Sequence, residues 1–116
     1  MSTILFIIND APYGNERAYS ALRLAGALAA KDEVRVRIFL LADSVSCAKV
    51  DQKVPAGFYN IELMLNKVIH RGDVALCGTC MDARGVKDQE LMPGAKRSTL
   101  TQLADWTAES DKVLVF

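Results

Sequence analysis

The sequence is poor in several residues on which dedicated chemistry often depends. It contains one histidine and three cysteines in 116 residues. Zinc needs four ligands, and this chain offers one Cys-x-x-Cys, a distant Cys47 and His70, so a complete site would have to be shared between subunits and no metal or other cofactor is expected. An excess of charge of either sign is also missing. Lys+Arg and Asp+Glu both number 14, for a formal net charge of zero. No long-range field would draw in nucleic acid or an acidic membrane, and like subunits would repel one another only weakly. Long apolar runs are absent too: the first stops at Ile8 and has no basic segment before it. It therefore reads as neither a signal peptide nor a membrane span. The expected compartment is the cytoplasm, where thiols stay reduced. Without repeats, linkers or low-complexity segments, residues 1–116 read as a single domain.

What is present is the material of a folded core, with 51% hydrophobic and 24% charged residues. Thr3 to Ile8 is a continuous apolar run of the kind found in strands buried on both faces. Residues 15–30 carry Ala18, Leu22, Ala25 and Ala29 at helical spacing, and Leu24 and Leu28 widen the stripe. Val34 to Leu41 alternates apolar residues with Arg35 and Arg37 before turning fully apolar, which predicts a strand running from a rim into the core. Asp43 to Phe58 has no period and reads as a long loop with one helical turn. Tyr59 to His70 is helical, with Ile61, Leu65 and Val68 on one side and His70 capping its end. Asp73 to Leu76 is a short buried strand leading into Cys77. In the poorly patterned stretch 82–93, Glu90 to Met92 is the candidate strand. Thr99 and Gln102 fit a capping box for a last helix with Leu100, Leu103 and Trp106 near its inner face. Lys112 to Phe116 closes as a strand.

Strands alternating with helices predict an α/β three-layer α/β/α sandwich around a mostly parallel sheet. Sites in such sheets collect at the carboxyl ends of strands. The loops after Ile8, Leu41 and Leu76 then share one edge, and the third of them holds Cys77-Gly78-Thr79-Cys80. A thiolate near a helix N-terminus is favoured by free N–H groups. Cys80, at the start of the following helical turn, has that advantage on this reading, and Arg84 four residues on would add to it. Gly78 lets backbone approach a ligand, and with Thr79 it forms the turn that would hold an anion. Glu16 and Asp43, with Asp10, lie near strand ends and could face Cys77, with Glu16 able to accept a proton; as surface carboxylates they need no such role. Tyr13, Tyr59 and Asn60 suit a pocket, a subunit contact or ordinary packing. Cys47 has no cysteine near it in sequence and reads as a small hydrophobe.

Asn9-Asp-Ala-Pro-Tyr-Gly14, Phe39-Leu-Leu-Ala-Asp-Ser-Val45, Gln52-Lys53, Gly57-Phe-Tyr-Asn-Ile61, Cys77-Gly-Thr-Cys80, Asp82-Ala-Arg-Gly85 and Ala104-Asp-Trp-Thr107 together resemble the DsrE/DsrF-like family, in its YchN-like branch. The resemblance implies a five-stranded parallel sheet in an α/β/α sandwich, and self-association as a homotrimer or homohexamer. It also implies a sulfur carrier of sulfurtransferase type, holding persulfide in a relay with donor and acceptor proteins. The family's reactive cysteine precedes Arg-Gly by the spacing that separates Cys77 from Arg84-Gly85, so the resemblance favours Cys77 as carrier and leaves Cys80 as a resolving partner. Two other readings stay open: a non-enzymatic oligomeric protein binding a small ligand, and a Cys77–Cys80 thiol-disulfide switch.

Overall fold

A computed structural model describes residues 1–116. Five strands alternate with helices: β1 (Ser2–Ile8), α1 (Arg17–Ala29), β2 (Val34–Leu40), α2 (Ile61–Ile69), β3 (Gly72–Cys77), α3 (Gly78–Ala83), β4 (Ala95–Ser98), α4 (Leu100–Glu109) and β5 (Lys112–Val115). All four strand pairings are parallel, in the order β4-β3-β2-β1-β5. The chain thus steps outward from β1 to β4, then returns across the sheet through α4 to place β5 on the other side of β1.

The period-2 geometry of strands divides the core in two. Ile4, Phe6, Ile8, Val36, Ile38, Leu40, Val74 and Leu76 point to one face and pack with Ala18, Leu22, Ala25 and Ala29 of α1 and Ile61, Leu65 and Val68 of α2. Leu5, Phe39, Ala75 and Cys77 point to the other face, where Leu103 of α4 covers them and Trp106 packs alongside. The sandwich therefore has three layers, one of them a single helix. Burying each large side chain contributes roughly 1.5–3 kcal/mol, so most of the stability comes from the α1–α2 side. At the amino end of the thin side, Arg37 lies over the Trp106 ring, 5.2 Å from its centroid, and bonds Glu109 at 3.1 Å. Gly72 is required where β3 meets β2, because a Cβ there would stand 2.2 Å from the Val36 carbonyl oxygen.

The cap expected at Thr99 forms, and Asn60 supplies a second cap that the pattern had not assigned. Asn60 accepts from the Leu63 N–H at 3.1 Å, and Thr99 accepts from the Gln102 N–H at 3.2 Å. His70 occupies the C-cap position of α2.

Four expectations fail. The fourth strand is Ala95–Ser98, not Glu90 to Met92. Residues 88–92 instead pair locally with the segment around Lys49, through a single antiparallel bridge from Lys49 to Leu91, while Met92 drops into the core. The presumed loop after Leu41 opens with a seven-residue 3-10 helix, Ala42–Ala48, whose Ser44, Val45, Cys47 and Ala48 are buried. Leu100, placed on the inner face of the last helix, is 74% exposed. Leu24, counted in the stripe of the first helix, is exposed as well.

Candidate functional site

The carboxyl ends of β2, β3 and β4 meet around Cys77. Its side chain belongs to the α4 face of the sheet, and Cys77 is the N-cap residue of α3, with its sulfur accepting the Cys80 N–H at 3.3 Å. The helix end thus serves Cys77, whereas the spacing had suggested Cys80. The Thr79 hydroxyl lies 3.1 Å from the same sulfur. Burial works against a Cys77 thiolate, but hydrogen bonds from the Cys80 thiol, the Thr79 hydroxyl and the N–H groups of both residues outweigh it. The Cys77 pKa falls below that of an ordinary thiol. For Cys80 the balance reverses: burial, the hydrogen bond it gives to Cys77 and the negative charge there raise its pKa, while the Ala42 N–H and Arg84 pull it down.

Cys77 opens on a cleft of about 580 Å³ whose walls include Thr79, Asp82, Arg97, Ser98 and Thr99, with Leu100 on it as well. Cys80 is not part of that cleft; it packs between the two core clusters. The two thiols therefore face different surroundings, Cys77 on the cleft and Cys80 away from it, although Cys80 is the more exposed of the two.

Arg84 does not reach Cys77. Its Nη1 donates to the Cys80 carbonyl at 3.1 Å and its Nε to Asp43 at 2.8 Å. Arg84 and Asp43 are brought together, on the Cys80 side of the site. Ala42, just before Asp43, adopts a left-handed conformation with φ 50°, unusual for a residue other than glycine. Glu16 is not brought in: it is exposed, precedes α1 and makes no capping bond with its side chain. The reason is topological, since it follows β1, and β1 lies two strands from β3. Asp10 shares that edge and pairs with Arg17 at 2.9 Å.

Gly78 is buried, and the backbone it admits is the protein's own. A Cβ there would lie 3.0 Å from Arg97 Nη1 and 3.1 Å from the Ser98 carbonyl oxygen. Arg97 is the residue that sequence reasoning missed. It donates to the Gly78 carbonyl at 3.1 Å, to Asp82 at 3.0 Å and to Asp88 at 2.8 Å. Hydrogen bonds to the two carboxylates keep its guanidinium firmly charged. It ties β4 to the first turn of α3, and it stands in a strand with no apolar signature to reveal it.

Cys47 is fully buried in the 3-10 helix, and loss of solvation pushes its thiol up to about 12. Around it, Gln52 Nε2 donates to the Cys47 carbonyl at 2.9 Å and to that of Lys49 at 3.0 Å, while Tyr13 donates to Gln52 Oε1 at 2.6 Å. The Tyr59 ring packs on that of Tyr19 at 4.3 Å between centroids, tilted by 33°. Tyr13, which accepts from the Ile61 N–H, and Asn60, which donates to the Gln52 carbonyl, thus hold this segment against α2, while Tyr59 packs on α1. No three His, Cys, Asp or Glu side chains converge as a metal site requires, and no helix is long and apolar enough to cross a membrane.

A five-stranded parallel sheet with a thiol at a strand end and helix cap is the arrangement of an α/β protein with a candidate site at Cys77. The chain belongs to the DsrE/DsrF-like family, whose model matches residues 2–116. It is 41% identical over 118 aligned positions to Protein YchN of Escherichia coli K12, covering all of both chains. It is also 43% identical over 110 positions to the uncharacterized protein MJ0989 of Methanocaldococcus jannaschii, covering 95% of this chain and 96% of that one. The crystal structure of E. coli YchN superposes with a TM-score of 0.92 at 39% identity over the full length of both. MTH1491 of Methanobacterium thermoautotrophicum, described as of unknown function, shares the fold at a TM-score of 0.76 and 13% identity, again over both full chains.

Proposed function

We propose that this protein carries sulfane sulfur as a persulfide on Cys77, as a sulfurtransferase-type member of a sulfur relay. One observation carries the reading: the sulfur that faces the cleft is also the one whose anion is favoured by surrounding donors. A Cys77 thiolate attacks the sulfane sulfur of a donor. The donor's sulfur–sulfur bond breaks, its electron pair leaves with the donor fragment, and Cys77 keeps the outer sulfur. The Thr79 hydroxyl and the N–H groups at the start of α3 suit the anionic product. The family includes sulfur-relay members, which supports the same chemistry here.

The reading includes protein donors and acceptors, and self-association as a trimer or hexamer. Leu100 on the cleft and Val115 on the edge strand are exposed apolar side chains that suit such contacts. The test is to incubate reduced protein with inorganic polysulfide and measure intact mass. In the first mass readings after mixing, the parent carries added sulfur and Cys77→Ser does not. Equal uptake by Cys77→Ser contradicts the reading. Sedimentation of a variant lacking both Cys77 and Cys80 shows the parent's assembly; collapse to monomers would make the cysteines packing residues instead.

A further inference from the structure

We propose that Cys80 discharges a persulfide held on Cys77, releasing sulfide and leaving a Cys77–Cys80 disulfide. This rests on Cys77 as the carrier and adds a persulfide-reducing activity to it. The observations are geometric. The cysteines sit one turn apart at the start of α3, and the Cys80 N–H already bonds the Cys77 sulfur at 3.3 Å. A Cys-x-x-Cys pair of this kind is within ordinary disulfide reach. The open space beside Cys77 is the cleft, which is where an added outer sulfur has room. Cys80 lies outside that cleft, so it approaches the inner sulfur from another side than the one the leaving sulfur occupies.

Electrostatics support a timed reaction. While Cys77 is a thiolate, its charge and the hydrogen bond it receives keep Cys80 protonated. Loading moves the negative charge one atom outward, onto the terminal sulfur. The Ala42 N–H and Arg84, which favour a Cys80 thiolate, then act with less opposition. Arg84 is held in place by Asp43 and by the Cys80 carbonyl, and the left-handed turn at Ala42 sits beside them.

The step balances as follows. The Cys80 thiolate attacks the inner, Cys77 sulfur. A bond forms between the two cysteine sulfurs, and the bond to the outer sulfur breaks. The outer sulfur leaves with that electron pair and takes up, through solvent, the proton that Cys80 gave up, so that it departs as hydrosulfide. The sulfane sulfur is reduced and the two cysteines are oxidised together. Return to the dithiol needs an external dithiol reductant, which exchanges with the disulfide and supplies two electrons and two protons.

The experiment loads the reduced protein with inorganic polysulfide without oxygen, removes excess donor by gel filtration, and follows dissolved sulfide and intact mass. The parent releases one sulfide per chain and ends lighter than the dithiol by two hydrogens, with no bound sulfur. Cys80→Ser and Cys80→Ala both keep the sulfur on Cys77 and release none. A parent that retains its persulfide as long as these variants overturns the discharge step and leaves the carrier intact. Failure of the parent and both variants to load Cys77 overturns the carrier reading, and the discharge step with it.

Discussion

Cys47 and Cys77 are both buried, at 0% and 8% exposure, yet their thiols shift in opposite directions. Around Cys47 there is burial with almost nothing to compensate it, and the neutral thiol behaves as a small hydrophobe. Around Cys77, which borders the cleft, a helix start, a hydroxyl and a second thiol supply donors that overcome a smaller loss of water. Depth of burial and the donors placed around a sulfur together decide whether its thiolate forms.

The comparison can be broken most plainly at the two cysteines themselves. Cys77→Ser is expected to abolish sulfur uptake, whereas Cys47→Ser is expected to preserve it while lowering the melting temperature by placing a hydroxyl in the core. Loss of uptake in the Cys47 variant at unchanged fold would end the distinction.

Alkaline unfolding sharpens it. Cys47 has a folded pKa raised from 9.0 to about 12, so its contribution is fully present below its unfolded pKa and declines as pH rises from about 9 towards 12. Cys77 has a lowered pKa, so its contribution is complete above the unfolded thiol value and is lost as pH falls through the folded one. Denaturant unfolding of the parent and of Cys47→Ser between pH 9 and pH 12 should show the steeper loss in the parent.

A third test separates scaffold from site. Gln52→Ala removes the amide that binds the Cys47 and Lys49 carbonyls, for an expected cost of about 1–3 kcal/mol with uptake on Cys77 unchanged. Gly78→Ala forces a Cβ against Arg97 and the Ser98 carbonyl, for a similar expected cost of about 1–3 kcal/mol. Here, however, uptake should fall as well, because the first turn of α3 moves with it. Denaturant curves and mass uptake on both variants check the contrast.

The smallest effect is expected at Thr79. Thr79→Ala removes one hydrogen bond to the Cys77 sulfur, worth ~1 kcal/mol, and should raise the Cys77 pKa by less than about one unit. A thiolate absorbance titration reads this directly.

Much of the fold was legible because its elements have strong periods. The Ile-rich first strand, the alanine stripe of α1 and the cap at Thr99 stand where the pattern placed them. Ala95–Ser98 was not legible: it is an edge strand reading Ala-Lys-Arg-Ser, with exposed centre and no apolar alternation. Leu91 and Met92 offered a stronger strand signal but serve a local bridge and the core. The 3-10 helix hid because its tight turn does not follow the 3.6-residue period. The thiol motif was visible, as was its position after β3. The division of labour within it was not, since that depends on Cys77 being the cap and on Arg84 turning towards Asp43. Arg97 was lost together with its strand.

Cys80 is more exposed than Cys77, so exposure and hydrogen bonding predict different orders of reaction. Site-resolved alkylation of the reduced protein across pH decides between them. If donors govern reactivity, Cys77 is modified first, with a midpoint below 9.0, and Cys80 follows at higher pH. Modification of Cys80 first, or of both together at the ordinary thiol value, would contradict the account.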